Sequence, residues 1–291
     1  MTQNLLQTLP KINGTYEADF PLAPMTTVKI GGPAEVFAKF EKLDDFQQFI
    51  KNKSSDTSLF ILGEGSNVLI QDGGIAGVVT RLDFLTDVRV AGYEIYAEAG
   101  ATCGKVARAA RTAGLTGLEF YAGIPGSIGG ALFMNAGAYG DETVDTLITM
   151  DVMTDTGEIK TLKPEELDYR YRGCDLPKGW VFVGAKFALK PGNLDEIKAK
   201  MRNVNTNRRT SQPLEMPSSG SWFKNAMVDG ELVNAWKITD AAGCRGWREG
   251  DAQVSEKHCN FFVNLGQATA AQMDTLSNRV EAEILRTQGI V

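Results

Sequence analysis

The chain has 291 residues, long for one simple domain and enough for two or three lobes with a sizeable core. Its 43% hydrophobic and 23% charged composition is that of an ordinary soluble globular protein. The net charge of −6 argues against a nucleic-acid backbone as main partner, because such binders carry a basic face. No apolar run reaches membrane-spanning length, residues 1–10 lack the pattern of a signal peptide, and the four cysteines (Cys103, Cys174, Cys244, Cys259) form no Cys-x-x-Cys pair. The expectation is a cytoplasmic protein with no metal site, no nucleic acid and no membrane partner, its cysteines buried as small hydrophobes.

Residues 1–22 read as a polar lead-in with one short amphipathic piece, Leu5-Leu6-Gln7-Thr8-Leu9. Thr26 to Ala38 predicts strand, tight turn and strand. Leu43 to Asn52 has helical spacing. Ser58 to Leu62 predicts a buried strand running into Gly63-Glu64-Gly65-Ser66-Asn67, with further strands at Val68-Leu69-Ile70 and Gly77 to Thr80. A second lobe starts near Leu85, with a strand at Glu94 to Ala99 and a helix from Thr102 to Gly114. Then comes a second glycine-rich stretch, Gly123-Ile124-Pro125-Gly126-Ser127-Ile128-Gly129-Gly130. Strands follow at Leu147 to Met153, Ile159 to Leu162 and Trp180 to Leu189, the first two joined by the hairpin turn Asp155-Thr156-Gly157-Glu158. Asn193 to Asn207 predicts a charged helix. A third region holds a helix near Leu232 to Ala242, a strand at Asn260 to Asn264, and a last helix capped by Thr269 and stopped by Gly289.

The two glycine-rich stretches point to a ligand. Glycines let the backbone approach an anion with its N–H groups exposed, and two such loops suggest a dinucleotide pyrophosphate gripped from both sides. The plain alternative is that they only turn the chain. Neither the Rossmann nor the Walker spacing is present, which disfavours a nicotinamide-binding Rossmann domain and an ATPase. The small residues and amide of Met134 to Gly140 suit either a flat ring against the backbone or tight packing between lobes.

Other residues are more ambiguous. Ser221 follows a glycine, but the nucleophile elbow is missing, and a triad with the single histidine, His258, has little support. Lys224 and Asn225 suit polar recognition. Tyr169-Arg170-Tyr171-Arg172 predicts a strand with both arginines on one face, most simply a surface edge strand. Arg202, Arg208 and Arg209 read as a solvated face or as contacts to an anionic substrate.

Taken together, these segments resemble the UDP-N-acetylenolpyruvoylglucosamine reductase family, in its shorter subtype. The resemblance rests on Thr26-Thr27 with Gly31-Gly32-Pro33-Ala34, on Gly63 to Leu69, on Gly117 to Gly140, and on Tyr171-Arg172. It continues through Gly220-Ser221-Trp222-Phe223-Lys224-Asn225 and Gln253 to Phe261. It implies an α+β fold: a vanillyl-alcohol-oxidase-type FAD-binding module of two lobes (residues 1–84 and 85–207) and a C-terminal α+β substrate-binding domain (residues 208–291). It implies non-covalent FAD reduced by NADPH, a UDP-sugar substrate, and a monomer. The reduced cofactor would pass hydride to the enol ether of UDP-N-acetylglucosamine enolpyruvate, giving UDP-N-acetylmuramate for peptidoglycan synthesis.

The same resemblance assigns residues. FAD would rest on Gly63, Gly65, Ser66, Asn67 and Val68, on Gly123, Ile124, Pro125, Gly126, Ser127, Gly129 and Gly130, and on Asn135, Gly137 and Ala138. Ser221 would be the proton donor and Arg172 the partner of the substrate carboxylate. Tyr171, Arg209, Lys224, Asn225 and His258 would contact the substrate. The sequence departs from the family at its end. The family's catalytic glutamate follows a Gly-Ile/Val stretch, whereas this sequence stops at Gly289-Ile290-Val291, and Glu281 and Glu283 on the preceding helix are not equivalent to it. Either this sequence is truncated or it lacks this third catalytic group, and the lack would slow the chemical step while leaving FAD binding nearly intact. The rival readings are a flavin-binding relative with impaired or no reductase activity, and a related flavin oxidase. Cys174, where the family commonly has Ser, and Ala226, where it has Pro, read as tolerable variation.

Overall fold

The computed structural model describes residues 2–290; Met1 and Val291, the outer ends of the first lobe and of the substrate-binding domain expected from the sequence, lie outside them. The chain divides into two compact units. The first comprises residues 1–19, 35–64 and 76–207; the second comprises 20–34, 65–75 and 208–291.

The first unit has two separate cores. One lies beneath a sheet with strand order Gly14–Pro21, Pro33–Phe40, Ile75–Thr80, Leu59–Ile61, of which the last two run parallel. The helix Leu43–Asn52 covers it. Phe46, Phe49 and Ile50 share one helix face and are buried, Asp44 and Asp45 sit in the first turn where the helix dipole favours them, and Phe40 meets Phe46 and Phe49 at 5.2 and 5.3 Å. The other core lies against a sheet ordered Ile159–Leu162, Leu147–Met153, Val181–Ala188, Glu94–Glu98, Val88–Ala91, antiparallel throughout. The helix Cys103–Thr112 packs on it, with Thr102 accepting a hydrogen bond from the Lys105 N–H as N-cap.

In the second unit the strands Ser218–Ser221, Phe261–Asn264, Ala252–Val254 and Arg248–Glu249 form an antiparallel sheet. The helix Ala270–Gln288 packs against it, burying Met273, Leu276, Val280 and Ile284. Thr269 and Gln272 make a capping box, and Gly289 ends the helix at φ 69°. Val28, Ile30 and Leu69 join this core.

Several expectations from the sequence are corrected. Gly14–Pro21 is a strand, not part of a lead-in. Residues 26–30 and 68–70 form no strand. Val28 and Ile30 are buried in the second unit's core and half-buried Leu69 packs against it, while the backbone is satisfied locally, by Thr26 Oγ1 bonds to the Ile30 carbonyl and N–H and by the Gly32 N–H to the Gln71 carbonyl. Tyr169 to Arg172 is a tight turn, closed by paired backbone bonds between Arg170 and Gly173, with Arg172 at φ 60°. The second glycine stretch is not wholly a loop: Ile128–Phe133 is a short helix capped by Ser127, which accepts from the Gly130 N–H.

Candidate functional site

In the first unit the two glycine-rich stretches meet. A Cβ placed on Gly63 would stand 2.8 Å from Ser127 Oγ. Among the described residues, the N–H groups of Gly63, Glu64, Gly126 and Ser127 have no acceptor. Buried or half-buried donors of this kind need an anion, a ligand atom or water. Glu64 would oppose an anion here, but its carboxylate is held by Arg81 at 2.7 Å, which also lies 3.1 Å from Asp83. Arg81 is a residue that sequence reasoning missed.

The rest of the second stretch is occupied differently from expectation. The Ile128 N–H donates to the Ala101 carbonyl, the Gly129 N–H to the Ala99 carbonyl, and the Gly130 N–H to Ser127 Oγ. Gly129 and Gly130 therefore do not offer free donors; Gly129 is small because Ala99 lies 3.3 Å from where its Cβ would be. Gly123 ends a 3-10 helix, the Ile124 N–H closes it onto the Tyr121 carbonyl, and exposed Pro125 has no N–H, so these three shape the approach to Gly126. Asn135, buried and at φ 39°, is spent internally. Its amide donates to Glu142 and to the Arg170 carbonyl, and its oxygen accepts from the Val144 N–H. Its part is to shape the backbone around the hairpin Gly137–Ala138 with Asp141–Glu142. Half-buried Arg172 donates to the Gly137 carbonyl at 3.0 Å, and its guanidinium lies 5.2 Å from the Tyr171 ring centre. Arg170 instead pairs with Asp175 at 2.6 Å.

The second unit carries Gly65, Ser66, Asn67 and half-buried Val68. The N–H groups of Gly65, Ser66 and Asn67 also lack an acceptor among the described residues. Gly65 has φ 64°, and a Cβ there would collide with the Met25 carbonyl oxygen, so the position admits only glycine. The Thr27 N–H donates to the Gly65 carbonyl at 2.9 Å, and Thr27 Oγ1 reaches the Ser218 carbonyl at 2.6 Å.

The same unit presents Ser221. The strand Ser218–Ser221 pairs Ser218 with Val263 and Ser221 with Phe261, so three steps on one strand match two on the other. This is a β-bulge, with Gly220 at φ 81° absorbing the extra residue and turning Ser221 outward. Trp222 and Phe223 anchor the chain just after the bulge. Trp222 stacks on Phe262 at 4.6 Å and donates Nε1–H to Ser277, and Asn260 clamps both backbone polar groups of Phe223. Ser221 is exposed, and its hydroxyl has no partner among the described residues.

Among the curated relatives, the UDP-N-acetylenolpyruvoylglucosamine reductase of Parvibaculum lavamentivorans is 43% identical over 290 residues, covering 99% of this chain and 92% of that protein. The enzyme of the same name from Rhodospirillum rubrum is 42% identical, covering 98% and 90%. This chain belongs to the UDP-N-acetylenolpyruvoylglucosamine reductase family. The family's C-terminal domain profile matches residues 212–291, and an FAD binding domain profile matches residues 34–163. The crystal structure of UDP-N-acetylenolpyruvylglucosamine reductase from Thermus caldophilus superposes with a TM-score of 0.81 at 32% identity, covering 97% of both chains. The α+β class read from the sequence stands.

The remaining reductase motif residues are of three kinds. Lys224 is exposed and without a partner among the described residues. Asn225 is committed inward, its oxygen accepting from the Ala235 N–H and its amide meeting Asn234, so it holds the hairpin Ala226–Val228 with Glu231–Val233. His258 is half-buried, its Nδ1 accepting from the Asn260 N–H, which places the proton of the neutral ring on Nε2. Burial lowers its pKa, and the Arg245 charge adds to this. No hydrogen bond joins His258 to Ser221, so there is no triad among the described residues. Exposed Arg209 contributes its carbonyl to Lys257 at 2.8 Å, leaving its guanidinium at the surface. Glu281 and Glu283 are engaged by Ser277 and Arg286. No cluster of His, Cys, Asp or Glu among the described residues is arranged to hold a metal ion, and no helix of the structure is long and apolar enough to cross a membrane.

Proposed function

We propose that this chain reduces the enolpyruvyl group of UDP-N-acetylglucosamine enolpyruvate to give UDP-N-acetylmuramate, using FAD and NADPH, in peptidoglycan synthesis. In a chain of this family, the observation that carries the site assignment is the Ser221 hydroxyl, turned out by the Gly220 bulge and left without a partner among the described residues. The family relationship favours an active reductase over a flavin-binding relative without that activity.

The residues fit the cofactor. The acceptor-free N–H groups of Gly63, Glu64, Gly126 and Ser127, and those of Gly65, Ser66 and Asn67, suit pyrophosphate oxygens. The crowding that a Cβ would meet at Gly63 and Gly65 explains why side chains are absent there. Val68, Gly123, Ile124, Pro125, Gly129, Gly130, Asn135, Gly137 and Ala138 belong to this reading as residues that shape the backbone. FAD held by these N–H groups would supply the hydride chemistry, carrying reducing equivalents from NADPH to the terminal carbon of the enol ether.

The chain's own groups do the rest. Ser221 Oγ–H gives a proton to the neighbouring carbon and regains one from solvent, so hydride and proton add across the double bond. A hydroxyl is a weak acid, so this transfer needs a strongly basic, carbanion-like carbon held close to it. Arg172, oriented by the Gly137 carbonyl, pairs with the substrate carboxylate and steadies the charge that builds there. Tyr171, Lys224 and the Nε2–H of His258 contact the sugar nucleotide, and Arg209 meets its phosphates. Asn225, bound internally, supports Lys224 by fixing the hairpin beyond it.

The division into lobes 1–84 and 85–207 and a substrate domain 208–291 belongs to the same reading. The two cores of the first unit support it, while residues 20–34 and 65–75 join the substrate-binding unit. A cytoplasmic monomer without a nucleic-acid partner is likewise proposed, supported by the acidic charge and unpaired cysteines.

Anaerobic stopped-flow absorbance tests the function. NADPH should bleach the bound flavin, and the enolpyruvyl sugar nucleotide should restore the colour. Bleaching that the substrate cannot reverse would remove the reductase assignment.

A further inference from the structure

The segment Thr26 to Ile30 lies beside two parts of the proposed site within the second unit. Thr26, 1% exposed, fixes the segment through hydroxyl contacts to the Ala23 and Ile30 carbonyls. Val28 and Ile30 are buried in the unit's core, and the Val28 carbonyl accepts from Asn264 on the strand beside Ser218–Ser221. Between these anchors, Thr27 faces two ways. Its N–H donates to the Gly65 carbonyl at 2.9 Å, and its hydroxyl reaches the Ser218 carbonyl at 2.6 Å while lying 3.3 Å from the Gly65 carbonyl. On one side is the loop whose Gly65, Ser66 and Asn67 N–H groups stand without acceptors. On the other is the strand that ends at Ser221, three residues after Ser218. The packing at this joint leaves little room, because Met25 and Thr26 lie where a Gly65 side chain would be.

We propose that Thr27 is a positioning residue of the reductase site: its hydroxyl ties the donor loop Gly65–Asn67 to the strand that presents Ser221. The inference rests on the reading of that loop as a cofactor cradle and of Ser221 as the proton donor. Thr27 itself touches neither cofactor nor substrate. It acts through the Gly65 and Ser218 carbonyls, so that a shift of either segment is felt by the other. A hydroxyl is required, because the N–H of residue 27 is already spent on Gly65 and only a side-chain donor reaches Ser218.

Thr27→Val keeps the branched shape and removes the donor; Thr27→Ser keeps the donor and removes a methyl group. Hydrogen exchange read by mass spectrometry should show faster exchange in Thr27→Val for peptides covering 63–69 and 216–222, with the helix Ala270–Gln288 unchanged. FAD affinity should fall about tenfold, the scale of losing one hydrogen bond while leaving its acceptor unsatisfied. At saturating FAD, flavin reduction by NADPH should change less than reoxidation by the enolpyruvyl substrate, because only the second step uses Ser221. Thr27→Ser should restore all three measurements. Unchanged exchange in Thr27→Val, or a Thr27→Ser variant as impaired as Thr27→Val, overturns the proposal. Should Thr27→Val not fold, Thr27→Ala carries the same expectations. A wild-type chain that bound no FAD would defeat the functional reading yet leave the exchange comparison able to decide the role of Thr27.

Discussion

Gly63 and Ser127 touch: a single added carbon on the first would press to within 2.8 Å of the second's hydroxyl oxygen. The pair is 64 positions apart in sequence, and it is where the two glycine-rich stretches come together. Gly63 has no left-handed φ, so contact rather than backbone conformation requires glycine here. The Ser127 hydroxyl cannot retreat freely, because it caps the next helix by accepting from the Gly130 N–H.

Gly63→Ala should therefore weaken FAD binding by about tenfold or more, the scale of a ~1.4 kcal/mol disturbance, while the protein still folds. Flavin fluorescence titration measures this. Adding Ser127→Ala removes the clashing oxygen, so the double variant should bind FAD better than Gly63→Ala alone. A double variant no better than the single would show that another contact demands glycine at position 63.

Replacing Ser221 by Ala should leave flavin reduction by NADPH intact and slow the return of oxidised flavin with the enolpyruvyl substrate by ~10²–10⁴-fold, the usual weight of a general acid. The two half-reactions can be followed separately by stopped-flow. Equal rates of reoxidation in both proteins would take the proton-donor role away from Ser221.

Gly220→Ala tests how Ser221 is held. At φ 81° an alanine is strained by roughly 1–2 kcal/mol, so the melting temperature should drop and substrate-dependent reoxidation should fall with it. Normal turnover in a destabilised Gly220→Ala protein would mean that the bulge does not aim the hydroxyl.

Arg172 donates to the Gly137 carbonyl while keeping donors for a carboxylate. Lysine has the charge but not the planar fork. Arg172→Lys should raise the KM for the enolpyruvyl substrate and lower kcat, together costing about tenfold or more in kcat/KM, with flavin reduction by NADPH unchanged. A lysine variant with wild-type kcat/KM would show that a point charge suffices.

His258 supplies a pH dependence. Burial lowers its pKa below the usual 6.5, with Arg245 acting in the same direction. The unfolded chain therefore takes up this proton at a higher pH than the folded one. As pH falls below about 6.5, the unfolded state is favoured increasingly, until the pH passes the depressed folded value. Melting temperatures from about pH 7.5 to pH 5 should fall more steeply for the wild type than for His258→Gln. Parallel curves would mean that the ring takes up its proton as readily in the folded protein as in the unfolded chain.

Regular elements were well marked in the sequence wherever local pattern and capping agreed. Leu43–Asn52, with its apolar spacing, and the last helix, with Thr269 before it and Gly289 after it, were legible at both ends. So was the strand Ile159–Leu162 after its turn. Legibility failed where burial came from distant partners. Val28, Ile30 and Leu69 looked like strand residues because they are apolar, but they pack in or against a core built largely from residues after 208. Tyr169 to Arg172 alternates perfectly and is nonetheless a turn, since alternation cannot reveal that Arg172 adopts φ 60°. At the site, glycine spacing located both stretches, yet it did not reveal which N–H groups are already spent. That depends on the Ala99 and Ala101 carbonyls. The bulge before Ser221 needed the register with Phe261 and Val263 to become visible.

Two excursions of the chain, residues 20–34 and 65–75, belong to the C-terminal unit although they precede it by well over a hundred positions. A gene fragment beginning at residue 208 would lack Val28, Ile30 and Leu69, leaving holes where they sit, and would lose the Asp72 carboxylate that accepts from the Ala270 and Ala271 N–H groups. The piece that sequence order suggests cutting out is thus not a piece that can stand on its own. Dissecting this enzyme into working parts calls for grafting those early strips back on, not for a single pair of scissors.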